Sequence, residues 1–226
     1  MNSFKRMHSK YLPLLGSLFI TTLIVSNIIA VKVGMFGTLA LPVAVIVFPL
    51  AYILSDVVTE VYGYAAMRRL IWTGFMCNAV AVLLFAIALR IPPAPFFDGD
   101  SAFARILGAT PRILGASFVA YLVGSFTNSF ILAKLKVKTQ GRFLWLRTIT
   151  STLIGEGIDS ALFLTLAFAG IFPRADLLSL ILAQWLFKSA FEVLATPFTY
   201  ALVGFLKRSE RIDHFDTGTN FNPIKF

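Results

Sequence analysis

One cysteine, Cys77, and two histidines, His8 and His214, are all the sequence offers in soft metal ligands and thiol or imidazole nucleophiles. A lone cysteine excludes a disulfide scaffold and a thiolate metal site, and leaves the redox compartment unreadable. Charge is scarce as well: Asp, Glu, Lys and Arg make up 14% of the chain, against roughly 25% in an ordinary soluble domain. Acidic residues are the scarcer sign, 11 against 20 Lys and Arg. There is no glycine-lysine phosphate loop, so any dependence on ATP would require another subunit. No internal repeat or low-complexity segment stands out, and no stretch between apolar runs is long enough for a soluble catalytic domain.

Apolar residues fill the space so left. They make up 58% of 226 residues, Phe alone accounts for 23, and the mean hydropathy is +0.81. A soluble core of this length could not hide so much apolar surface, so lipid must solvate much of it. Six hydrophobic spans emerge, at about 11–32, 41–62, 69–90, 112–133, 148–171 and 177–204. Each has enough residues to cross a hydrocarbon layer of about 30 Å. The first follows Lys5, Arg6 and Lys10 and is too long for a signal-peptide core, so it reads as an uncleaved transmembrane helix. Turn chemistry marks two joints, Gly34 to Gly37 and Pro92 to Gly99. The longest connection, Ile91 to Pro111, contains Pro92, Pro93, Pro95, Phe96 and Phe97 and reads as a lid or short interfacial helix. The expected class is an all-α integral membrane protein of six helices, followed by a polar, flexible tail from residue 207.

The net charge of +9 would suit nucleic acid, but its distribution does not. Lys and Arg sit in short clusters between the spans. Fourteen fall on one side: the N-terminal arm, Arg68 and Arg69, the run from Lys134 to Arg147, and the tail. Five fall on the other: Lys32, Arg90, Arg105, Arg112 and Arg174. That asymmetry places both termini in the cytoplasm.

Five carboxylates lie inside the spans, where each costs about 2.5–3.5 kcal/mol on insertion scales. In the second span Phe48, Tyr52, Asp56 and Glu60 recur at spacing four, an aromatic and acidic stripe on one helix face. Pro49 should kink or unwind that span. A hydrated Glu60 near the membrane interface is the bland alternative. The fifth span carries Glu156 and Asp159 beside Thr152 and Ser160, with Gly155 and Gly157 permitting close approach. The sixth carries Gln184, Lys188, Glu192 and Thr196 at spacing four, so Lys188 and Glu192 can pair along the helix. Asn27, Asn78 and Asn128 add amides at depth, where each alone serves more often as interhelical glue. Ala116, Ala120 and Gly124 form a small-residue packing face. The carboxylates outnumber Lys188, and a dry site cannot hold that excess ionised. Such a site suits a cation, a proton or a solute rich in N–H groups. An intramembrane enzyme is disfavoured: no Ser/His pair or metal-ligand cluster appears, and both histidines lie outside the spans. No cofactor is implied.

Three blocks carry a resemblance: Ser26-Asn27-Ile28-Ile29-Ala30-Val31-Lys32; Phe48-Pro49-Leu50-Ala51-Tyr52-Ile53-Leu54-Ser55-Asp56, continued by Val57-Val58-Thr59-Glu60-Val61-Tyr62-Gly63-Tyr64; and Arg147, Ser151-Thr152, Gly155, Asp159-Ser160. Together they resemble the bacterial queuosine precursor transporters of the vitamin uptake transporter group. The resemblance implies a fold similar to the six-helix substrate-binding subunits of energy-coupling-factor transporters. It also implies an inner-membrane protein importing 7-deazaguanine-type bases for queuosine salvage. On that reading Asp56 or Asp159 meets the guanine-like edge, Phe48 and Tyr52 stack on the ring, and Lys188 and Glu192 supply a carbonyl contact or a counter-charge. The remaining expected binding residues are Asn27, Glu60, Asn128, Glu156 and Gln184. An energy-coupling ATPase partner is not expected, because the first span lacks the Ala-x-x-x-Ala pattern of such subunits, which appears only as Ala40 and Ala44. A capture subunit for another heterocyclic solute is the alternative. Proton coupling and facilitated diffusion with metabolic trapping fit the buried carboxylates equally.

Overall fold

The computed structural model describes residues 9–37, 39–108, 111–171 and 173–225. Lys5, Arg6 and His8, used in the sequence reading, lie outside them. In chain order the elements are α1 (Leu12–Ile29), β1 (Val33–Phe36), β2 (Leu39–Pro42), a 3-10 turn (Val43–Ile46), α2 (Phe48–Tyr62), α3 (Tyr64–Ala88), α4 (Asp100–Leu107), α5 (Pro111–Lys138), α6 (Leu144–Phe168) and α7 (Arg174–Glu210). Six helical segments are long and apolar enough to cross a membrane: α1, the 3-10 turn with α2, α3, α5, α6 and α7. The chain is a multi-pass helical membrane protein. Leu83, Leu84, Ile87, Leu186 and Leu194 are exposed on α3 and α7, as side chains solvated by acyl chains should be.

One joint differs from expectation: between the first two spans lies an antiparallel hairpin pairing Val33 with Pro42 and Phe36 with Leu39, its turn made by Gly37 at φ +64°. The second span therefore starts at residue 43 rather than 41. Pro49 does not kink a continuous helix. It sits in the first turn of α2, where its missing N–H is one of the donors a helix start leaves unpaired anyway, and the chain before it winds as a 3-10 turn. The long connection between α3 and α5 contains a short helix, α4, with no buried residue.

The core joins α1, α2, α3 and α7 through Phe19, Ile53, Val57, Val58, Val61, Met67, Ile71 and Leu206. On the other flank α5 and α6 approach at backbone distance. A Cβ on Gly124 would lie 3.1 Å from the Gly155 carbonyl, and one on Gly155 would lie 3.1 Å from the Gly124 carbonyl. Ala116 and Ala120 are buried on that same face of α5, as the small-residue pattern indicated.

Helix alternation gathers Lys10, Arg68, Arg69, Lys134, Lys136, Lys138, Arg142, Arg147 and Lys207 at one end, called here the basic end. The tail beyond Glu210 was expected to be free, and it is not. It runs back across the basic end and satisfies groups the helices leave open. His214 N–H donates to the Val61 carbonyl at 3.1 Å, and Asp216 accepts the Tyr64 N–H at 3.0 Å. Arg68 donates to the carbonyls of Asn220 and Asn222, and Trp72 to that of Pro223. The physical reason lies at Gly63, the lone residue between α2 and α3, held at φ +85°. A helix beginning there has no room for a cap of its own, so a carboxylate from elsewhere takes the role. Glu210 does the same for α1, accepting the Tyr11 N–H at 2.7 Å. Gly63 also admits the tail: a Cβ there would meet the His214 ring at 2.2 Å.

Lys136 is buried beneath this segment and donates to Asp213 and to the carbonyls of His214 and Glu60. Burial alone would raise the Asp213 carboxyl, but hydrogen bonds from Lys136 and Lys207 outweigh it and hold it below its ordinary 3.8. A depressed carboxyl contributes stability above its unfolded value and loses it as pH falls through the folded one. Deleting residues 211–226 should lower the melting temperature in detergent by about 5–10 °C, the scale of breaking a buried ion pair. The wild type should lose part of that difference below about pH 4. A truncated protein melting within 2 °C of the full chain would show that the tail contributes no such support.

Candidate functional site

The polar residues within the bundle fall into two groups. Four helices supply the first. Asp56 on α2 is fully buried, and its Oδ1 accepts from Asn128 Nδ2 of α5 at 2.6 Å. Lys188 on α7 reaches α6, with Nζ 3.0 Å from Asp159 Oδ2 and 4.0 Å from Glu156 Oε2. The same ammonium lies 4.8 Å from the centre of the Phe48 ring, a cation–π contact that gives α2 a hold on α7. Tyr52 is buried one turn further along α2. Its hydroxyl lies against Gly124, at the point where the Asp159 side chain also comes closest to α5. Glu192 is buried one turn beyond Lys188. Gln184 sits half-buried on the preceding turn of α7.

What these groups lack tells more than what they have. Among the described residues, the Tyr62 hydroxyl and Arg68 Nε at the basic end are buried without a hydrogen-bond partner; the other such atoms are Asp56 Oδ2, Asn128 Oδ1, Glu156 Oε2, both carboxylate oxygens of Glu192, and the hydroxyls of Thr152, Ser160 and Ser189. These last are the atoms of the cluster. All belong to α2, α5, α6 and α7. Thr152, Glu156 and Ser160 are spaced by four and so share one face of α6. Buried polar groups are normally satisfied, and a concentration of exceptions signals an absent partner. Apart from the hydroxyls, the unpaired atoms of this cluster are all acceptors. Four carboxylates face one ammonium. The arrangement can hold donors, protons or positive charge beside aromatic surface. Among the described residues no three of His, Cys, Asp and Glu converge as a metal site.

The second group lies at the basic end and holds Glu60. Expected to continue the solute-facing stripe, Glu60 instead accepts a bidentate pair from Arg147, 2.8 Å from Nε and 2.8 Å from Nη2. Lys207 stands at 2.6 Å and Lys136 at 3.6 Å. Three cations from three helices satisfy this carboxylate, and α2's one further turn carries it out of the first group. Two other expectations change. Asn27 donates to Asn78 Oδ1 at 2.7 Å and so ties α1 to α3. Lys188 turns from Glu192 towards α6, where two carboxylates rather than one await it. Sequence reasoning passed over Ser189, and counted Lys136 and Arg147 merely as loop charges. Only Arg147, inside a resembling block, carried a signal.

Truncating one partner of a buried pair leaves the other charge uncompensated, at about 3–5 kcal/mol. Arg147→Ala should therefore reduce unfolding stability by about that amount, and Glu60→Gln combined with Arg147→Met by clearly less. Equal losses in denaturant titrations of the two variants would show that the charge pair is not the cause.

The family model described as "Putative vitamin uptake transporter" matches residues 42–202. The "Probable queuosine precursor transporter" of Bacillus subtilis (strain 168) is 27% identical over 188 residues, 82% of each chain. The "Queuosine precursor transporter" of Escherichia coli (strain K12) is 28% identical over 121 residues, 54% of this chain and 52% of that one. No solved structure matches. The family match begins at the end of β2 and runs into α7, taking in every residue of the four-helix polar group. The chain belongs to the vitamin uptake transporter family.

Proposed function

We propose that this protein imports 7-deazaguanine-type precursors of queuosine across the bacterial cytoplasmic (inner) membrane, with its basic end facing the cytoplasm. The observation that carries the reading is the set of unpaired acceptors of Asp56, Asn128 and Glu156 on α2, α5 and α6, placed beside Phe48 and Tyr52. A guanine-like base brings the complement, a ring N–H next to an exocyclic NH₂ on a flat ring. Asp56 suits that edge better than Asp159 does. Asp56 is fully buried and carries no ion pair, whereas Asp159 is partly exposed and its charge is already met by Lys188. Asn128 positions Asp56 through Oδ1, and Lys188 stands near enough to α2 to meet a ring carbonyl. The names of both relatives point to the same solute class.

The transporter works alone in this proposal. The excess of Lys and Arg at the basic end supports the orientation, and α1 lacks the small-residue stripe through which an energising subunit would dock.

The test is uptake of a labelled 7-deazaguanine base into cells lacking both precursor synthesis and their own importer. The wild-type chain should restore accumulation, and Asp56→Asn should lower it about 10–100-fold, the worth of a hydrogen bond to a charged group. Membrane levels of the variant should be unchanged. Full uptake by Asp56→Asn would remove Asp56 from the site, and no uptake by well-expressed wild type would overturn the solute class.

A further inference from the structure

Glu192 differs from every other acidic side chain in the cluster. It is 2% exposed, and neither of its oxygens has a hydrogen-bond partner. Asp56 has Asn128, while Glu156 and Asp159 share Lys188. A buried carboxylate without donor or cation is untenable as an anion, since the missing solvation amounts to several kcal/mol per ion.

The neighbours offer no relief. α7 packs against α6 and α2. From α2 the titratable groups on this stripe are Tyr52, Asp56 and, a turn further, Glu60; from α6 they are Glu156 and Asp159; on α7 itself there is Lys188. The cluster sets four carboxylates, Asp56, Glu156, Asp159 and Glu192, against the one ammonium of Lys188, so a negative charge on Glu192 meets no free cation. Lys188 is committed to α6. Arg147, Lys136 and Lys207 are committed to Glu60 and Asp213. A proton answers both defects at once. It removes the charge and turns one oxygen into an O–H donor among unpaired acceptors.

We propose that Glu192 is the proton-carrying group that couples solute import to the transmembrane proton gradient, an inference that rests on the import reading above. The O–H bond of the neutral acid is intact while the solute is enclosed. Once the basic end opens, the bond breaks, the proton passes to water on that side, and the anion is hydrated. The empty carrier returns with Glu192 still ionised and reached by water, and takes a new proton from the outer side before the next solute is enclosed. The solute and one proton therefore move together.

The experiment uses the full-length protein in proteoliposomes with the labelled nitrile-bearing 7-deazaguanine, which has no ammonium group to titrate. Counterflow measures solute exchange without a gradient. Accumulation under a gradient one pH unit more acid outside measures coupling, and one proton per solute sets its ceiling at about tenfold. The wild type should show both, with accumulation abolished by a protonophore. Glu192→Gln, a neutral isostere of the protonated acid, should keep counterflow within about threefold and lose accumulation. Glu192→Asp should keep both, showing that a titratable group is what matters.

Three results would overturn the proposal. Gradient-driven accumulation by Glu192→Gln would show that the proton is carried elsewhere. Loss of counterflow in a Glu192→Gln protein that melts like the wild type would make Glu192 a solute contact. Wild-type counterflow without any response to the gradient would make import a facilitated diffusion. Absence of wild-type counterflow, by contrast, would refute the solute class itself.

Discussion

The bidentate contact between Arg147 and Glu60 is the constraint on which the rest of the bundle depends. It joins α6 to α2 through two charge-assisted bonds, and Lys207 and Lys136 bring α7 and α5 to the same carboxylate. These are the four helices that carry the unpaired acceptors. Their relative height is thus set at the basic end, one turn of α2 below Asp56. Such an ion cluster adds little net stability compared with apolar packing. What it adds is register: an arginine fork accepts a carboxylate in one geometry, and sliding α2 along α6 would break it.

Above that anchor, packing brings the polar groups together. Gly124 and Gly155 allow α5 and α6 to touch at backbone distance, which puts Asn128 within reach of Asp56. Phe48 holds the Lys188 ammonium from the α2 side while Asp159 holds it from the α6 side. The unpaired oxygens are left between fixed walls, and fixed acceptors discriminate among donors better than mobile ones do.

The helices were legible because apolar runs of spanning length have a single reading in lipid. Their ends were less so. The hairpin was hidden because Val33–Phe36 and Leu39–Pro42 are as apolar as the helix ends on either side. α3 begins five residues before its expected start, since Tyr64 to Arg68 carries charge that hydropathy places outside the bilayer. Within the polar cluster, the spacing of Phe48, Tyr52, Asp56, Glu156, Asp159, Lys188 and Glu192 was sufficient to place each on the inward face of its helix. Spacing along one helix could not tell which partner each would take. Lys188 had Glu192 one turn away and took Asp159 from another helix, while Glu60 shares a stripe with Asp56 and belongs to a different group. The tail was read as free because its polar composition resembles that of a linker. Its backbone carbonyls, which do much of the binding to Arg68 and Trp72, leave no trace in residue type.

The two carboxylate caps at the basic end have a consequence for the order in which the protein is made. Tyr11 receives its cap from a residue 199 positions later, and Tyr64 from one 152 positions later. During synthesis α1 and α3 must enter the membrane with those donors still hydrated, held by lipid and local helix formation alone. Closure of the basic end waits until α7 and the segment behind it have arrived. Its contacts span nearly the whole sequence, so the slow entropic step of assembly comes at the finish rather than the start. A chain halted before residue 213 would carry six inserted helices with Lys136 short of Asp213 and the His214 carbonyl and Arg68 short of its tail carbonyls, a state that a membrane protease could distinguish from the finished protein.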